Sequence, residues 1–201
     1  MMKFFAGILS GFLVFSSSFA VGQKKTIDYI GEVEKYLNDI TTFESDFIQR
    51  DKYGRCSRGH LFLKRPHFMK MDYTDPSTHV VIAKDNKITH YDRELKEKTE
   101  TSMYSSPLSF FFERKINLQK NLKVLSIEDG NDFLSIKLCK KNKDEEGAVT
   151  LIFSKNPLVL RKWIIFSNKE DQSSYENTEI SLINWKSKHS IPDKEFEKFS
   201  R

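Results

Sequence analysis

"LFLKRPHFMKMDY", residues 61–73, decides how the chain is read. Every second residue from Leu61 gives Leu61, Leu63, Arg65, His67, Met69, Met71 and Tyr73. The intervening set is Phe62, Lys64, Pro66, Phe68, Lys70 and Asp72. A period of two is the signature of a strand with one face toward a core. The first set is that face, yet it holds a permanent cation, Arg65. Pro66 cannot donate to a ladder, so it marks an edge, a bulge or a break, and a break there would leave the sheet incompletely closed. A bulge would also shift the alternation by one and change where Arg65 points.

The same period extends outward in both directions. Strands are expected at 43–50, 58–64, 68–73, 79–84, 87–92 and 95–101, then at 122–128, 132–139, 148–154, 160–167 and 175–185. The links carry turn chemistry: "DKYG" at 51–54, "DNK" at 85–87, "EDGND" at 128–132 and "SKNP" at 154–157. Short links imply antiparallel neighbours, so the fold class is mainly β with helices, one strongly curved antiparallel sheet of about 11 strands.

Two helices are expected against this sheet. In 26–41, Ile27, Ile30, Val33, Leu37 and Ile40 make a single apolar stripe, with Thr26 as N-cap and Asp28 in the first turn. In "YSSPLSFFFERK", residues 104–115, Ser106 and Pro107 read as a helix start. Leu108, Phe111 and Phe112 share one side there, and Phe110 lies off it. A helix this short is marginal alone and must be held by what its rings touch. The simplest architecture is a curved sheet with a helical lid. Periodicity leaves open whether the space beneath, walled by Leu61, Leu63, Met69 and Met71, is hollow or packed.

The first twenty residues have a basic start at Lys3, an apolar run from Phe4 to Phe15 and a Ser18-Phe19-Ala20 ending. They read as a secretory signal peptide cleaved after Ala20, the run being short for a membrane anchor. Residues 21–201 then form one exported domain, expected in the periplasm and monomeric. Without the leader, which carries Lys3 and no acid, the net charge falls from +5 to +4. The basic residues are dispersed, and the lysines at 140, 141 and 143 with the acids at 144–146 read as a solvated turn, so nucleic-acid binding is disfavoured. Cys56 and Cys139 form no redox or metal pair, and free thiols are expected. Catalytic motifs are missing: no Gly-x-Ser-x-Gly elbow, no His-Glu-x-x-His, no phosphate loop. His60 and His67 lack ligand spacing, and Asp72, Asp75 and Asp85 belong to turns. No enzyme, metal or cofactor is expected.

The residues resemble a known family. After an amphipathic helix come "FESDFIQ", then G-x-L-x-L-K-R-P-x-F-x-K-M-D-Y-x-x-P from Gly59 to Pro76, "DNKITHYD" from Asp85 and "SPLSFFF" from Ser106. This is similar to the outer-membrane lipoprotein carrier (LolA) family over about residues 26–199. The resemblance implies an unclosed half-barrel with helices as a lid over a hydrophobic cavity. It implies cargo of acylated lipoproteins, received from an inner-membrane LolCDE-type ABC transporter and handed to an outer-membrane LolB-type receptor. It assigns Arg65 as a latch, bonded to lid backbone, and places Leu108, Phe111 and Phe112 on the lid. Read without the resemblance, Arg65 would be a partly buried arginine paired with a carboxylate. Many family members continue past the last F-x-F, whereas this sequence reads "KEFEKFSR" to Arg201. The alternative is a lipid- or lipoprotein-sensing regulatory domain, as in RseB-like proteins. Those carry an added C-terminal domain, for which the 201 residues leave no room.

Overall fold

The computed structural model describes residues 20–141, 147–167 and 176–199. The leader before Ala20 and the acidic part of the Lys140 turn lie outside the described residues. The strands are β1 (Thr42–Arg50), β2 (Cys56–Lys64), β3 (Phe68–Asp75), β4 (His79–Lys84), β5 (Lys87–Asp92), β6 (Glu97–Ser102), β7 (Leu122–Asp129), β8 (Phe133–Lys140), β9 (Ala148–Ser154), β10 (Val159–Ser167) and β11 (Glu176–Ser187). They form one antiparallel sheet in the order β6-β5-β4-β3-β2-β1-β11-β10-β9-β8-β7. The sheet is open, with β6 and β7 as its edges.

The opening stretch is a hairpin, in keeping with the separate strands expected at 58–64 and 68–73. Residues 65–67 are the turn, and Leu61 faces Met71 while Leu63 faces Met69 across it. A three-residue turn preserves the alternation, which is why the apolar set reads straight through. Pro66 therefore sits in a turn and does not open the sheet. At Asp85 and Asn86, φ angles of 51° and 63° make the two-residue link that closes β4 onto β5.

Inward-facing rows from both halves meet in one core. Leu134, Ile136, Leu138, Val149, Leu151 and Phe153 are essentially buried, as are Phe43, Phe47, Leu61 and Leu63 from the other half. Helix α1 (Ala20–Asp39) starts earlier than the expected Thr26 and lays Ile30, Val33 and Leu37 on this core. Tyr36 makes an edge contact with Phe153 at 5.5 Å and accepts the Leu160 backbone N–H at 2.9 Å. The helix thus covers the β8–β10 half. A short helix, α2 (Leu118–Asn121), leads into β7, with Asn117 capping it through the Lys120 N–H.

The opposite face of β2–β5 has its own small core. Val80, Ile82, Phe62, Phe68 and Tyr91 pack against Ile191, Phe196 and Phe199 of the C-terminal segment. Lysines on successive strands hold it: Lys64 to Asp193 at 2.5 Å, Lys70 to Glu195 at 2.9 Å and Lys84 to Glu197 at 2.6 Å. Lys70 is only 2% exposed, and Glu195 and, at 3.7 Å, Asp72 face its ammonium group. The spacing of "DKEFEKF" presents acids on one side and Phe196 and Phe199 to the sheet.

Gly59 allows β2 and β3 to approach at a register shift. A Cβ there would lie 2.2 Å from the Asp72 carbonyl oxygen and 2.8 Å from the Phe47 ring. Gly59→Ala should cost about 1–3 kcal/mol in urea unfolding, because backbone has to move. Glu195→Ala should cost about 2–3 kcal/mol by leaving Lys70 buried with a poorer partner, and adding Lys70→Met should recover most of that loss.

Candidate functional site

The segment between β6 and α2 is the cover of the sheet's inner face. It is not the α-helix expected over 104–115 but two 3₁₀ turns, Met103–Ser105 and Ser109–Phe112. Ser106 does act at the start of the second, its hydroxyl accepting the Leu108 N–H at 3.2 Å and its carbonyl the Ser109 N–H at 3.0 Å. Pro107 follows it as expected, but a tighter turn replaces the helix. The tighter pitch removes the one-sided stripe, so Phe110, Phe111 and Phe112 are all buried. Phe110 stacks on Phe111 with ring centroids 4.7 Å apart. Phe112 turns to Ala83 and Met103.

Arg65 leaves the β2–β3 turn and reaches across to this cover. One guanidinium nitrogen donates to the Leu37 carbonyl and, at 3.3 Å, to the Ile40 carbonyl. The other donates to the Glu113 carbonyl at 2.8 Å. The Arg65 backbone N–H also donates to the Thr41 carbonyl at 2.7 Å. All of its described acceptors are backbone carbonyls. The Glu113 carboxylate instead accepts from Asn121 at 3.1 Å and 3.2 Å. Burial lowers the Arg65 pKa, and the nearby Glu113 charge partly restores it. The cation is also favoured at the negative end of the α1 dipole.

Two α1 residues that the sequence reading did not single out complete the attachment. The Asn38 side chain accepts the Ile116 N–H and donates to the Ile116 carbonyl, both at 2.9 Å. Glu34 accepts the Leu118 N–H at 2.8 Å. At the other end, the Met103 N–H donates to the Asn86 carbonyl at 2.9 Å. A polar residue on the buried side of a helix was the available signal for Asn38, but its partner is 78 positions away.

The inner face is filled in one half and hollow in the other. Beneath the cover, Phe43, Leu63, Met69, Leu108, Phe111, Phe112 and Trp163 leave a void of only about 10 Å³. Beside it, a groove of about 970 Å³ runs between β3–β6 and β10–β11. Those strands are far apart in the sheet order, so sharing one groove requires the sheet to curl. Met69, Met71, Val81, Ile88, Trp163 and Ile180 give it apolar walls, and Ser106, Pro107 and Leu108 close its inner end. The outer end is polar, with Gln49, His79, Asp92 and Glu97. Of the wall residues expected from the sequence, Met69 and Met71 line the groove, Met69 and Leu63 line the filled void, and Leu61 is fully buried in the core. Cys56, exposed at the groove, and the buried Cys139 are not joined in a disulfide. Among the described residues no cluster could hold a metal, and no helix is long and apolar enough to cross a membrane.

Comparisons with known proteins bear on this arrangement. Uncharacterized protein RP864 of Rickettsia prowazekii (strain Madrid E) is 24% identical over 140 residues, 70% of this chain and 65% of that protein. The chain thus spans somewhat under two thirds of that relative. Among solved structures, the LolA superfamily protein NE2245 from Nitrosomonas europaea is 12% identical with a TM-score of 0.48, over 84% of this chain and 97% of that one. An uncharacterized conserved protein from Thermus thermophilus is 9% identical with a TM-score of 0.48, over 90% and 95%. Mycobacterium tuberculosis lipoprotein LppX is 8% identical with a TM-score of 0.42, over 84% and 99%. The family described as "Outer membrane lipoprotein carrier protein LolA" matches residues 38–199, from the end of α1 through the C-terminal segment, and the chain belongs to it.

Proposed function

We propose that this protein is an exported, periplasmic, monomeric carrier that shelters the acyl chains of lipoproteins between the two membranes. It receives them from a LolCDE-type transporter and yields them to a LolB-type receptor, without catalysing a reaction. The observation that carries this reading is the groove of about 970 Å³ beside a cover fastened by hydrogen bonds. Its size falls within the range of small-molecule sites. The methionines in its wall suit chains of irregular path.

Burying an acyl chain gains about 0.8 kcal/mol per methylene, or about ten for one long chain. Several chains would be held too firmly to release unless something opposes them. The fastened cover is that opposition. When it is seated, Phe111, Phe112 and Trp163 occupy the space beneath it and only the neighbouring groove is open. Lifting it exposes those rings, and cargo then stabilises the open state by covering them. Each charge-assisted bond of Arg65 is worth about 1.5–3 kcal/mol, enough to shift the balance between open and closed by one to two orders of magnitude.

Incubated with spheroplasts making a triacylated lipoprotein, the mature protein should release it as a soluble one-to-one complex. Retention of all lipoprotein on the membrane would end the carrier reading. Arg65→Leu should still accept cargo, because the open state no longer competes with a fastened one. Its transfer to acceptor membranes should fall at least tenfold, and unchanged transfer would remove the latch role.

A further inference from the structure

The groove has a polar position partway down its wall that the carrier reading leaves unused. Along β5, the groove-lining residues are Ile88, His90 and Asp92, from the covered end to the rim. His90 lies two residues inside Asp92, about 7 Å along the strand. In register it sits beside Val81 on β4 and Thr99 on β6, all facing the same groove.

Asp92 and Tyr73 at the rim have partners within the protein. Asp92 accepts the Glu94 and Leu95 backbone N–H groups and lies 3.4 Å from the His79 ring. Tyr73 donates to Gln49 at 2.6 Å. By contrast, neither the His90 ring nor the Thr99 hydroxyl has a hydrogen-bond partner among the described residues. Both side chains are exposed to the water of the groove. Partial desolvation by the surrounding groove wall, with the neighbouring His79, holds the pKa of His90 below the ordinary histidine value. At neutral pH it is therefore an uncharged ring with one N–H donor.

A neutral donor between Ile88 and the rim matches a neutral acceptor, because a carbonyl gives up less hydration than a charged headgroup on entering the groove. In an amphiphile inserted tail-first, the group just inside the headgroup is the acyl linkage. Resting on the carrier reading, we propose that the groove takes its ligand tail toward Leu108 and that His90, with Thr99, binds the acyl carbonyl. The carbonyl of an ester or an amide would serve equally, since both present the same acceptor. His90 is thus a specificity residue for acylated over merely alkylated amphiphiles.

The test compares 1-palmitoyl-lysophosphatidylcholine with its 1-O-hexadecyl ether, which keeps the chain and headgroup but lacks the carbonyl. In displacing a bound fluorescent fatty-acid analogue from the wild-type protein, the ester should be about three- to tenfold stronger, the worth of one hydrogen bond. His90→Phe should bring the ratio to one, while His90→Gln, which retains a donor, should keep most of it. Circular dichroism shows whether each variant is folded. Equal affinity of ester and ether for the wild-type protein would overturn the role of His90 and leave the carrier intact. Failure of both lipids to displace the probe would overturn both. A dipalmitoylglyceryl-cysteinyl peptide should displace the probe as well. If the phospholipid displaces it and the lipopeptide does not, the lipoprotein reading falls while His90 keeps its role.

Discussion

Three carbonyls meet one guanidinium at the centre of this molecule. Leu37 and Ile40 come from the end of α1, and Glu113 comes from the far end of the cover. The carbonyls at a helix end lack intrahelical partners, and burial would make that expensive. Arg65 resolves the difficulty for α1 and in doing so draws the cover into the same place. An ion pair would have tied Arg65 to one side chain. Bonds to backbone tie it to the positions of whole segments.

The sheet can support a groove because its two halves are treated differently. The β8–β10 half receives α1 and the aromatic turn and becomes an ordinary packed core. The β3–β6 half has little over its inner face and receives its covering on the outside, from the C-terminal segment. That outer core, with Phe196 at its centre and lysines around it, stiffens β2–β5 from behind, where the inner face is only partly packed. A wall left open on one side is held firm from the other.

Much of this was legible in the sequence. The strands follow from period-two alternation, and positions such as Leu134, Ile136 and Leu138 left little choice of face. Met69 and Met71 were read into the cavity wall by the same logic. The misreadings have physical causes. "SPLSFFF" satisfies the rules for a helix start, but the chain has to cross from one sheet edge toward the other while burying three adjacent rings, and 3₁₀ turns do that more compactly. Arg65 fell into the inward-facing row because the β2–β3 turn keeps phase. Asn38 and Lys70 depend on partners 78 and 125 positions away, which no local pattern carries. The hollow itself arises where strands distant in order curl to face one another, and alternation is silent on curvature.

The attachments between α1 and the cover have a mechanical consequence. Glu34, Asn38 and Arg65 hold the cover at Leu118, Ile116 and Glu113, a row running along the last turns of α1. Glu34 and Asn38 lie on α1 itself, and Arg65 in the β2–β3 turn. Tyr36 separately ties α1 to β10 through the Leu160 N–H. If the Arg65 bonds part, the helix therefore stays on the sheet and the cover stays pinned to it at Ile116 and Leu118. The Glu113 end alone is freed, so the cover is fastened like a flap with one loose corner.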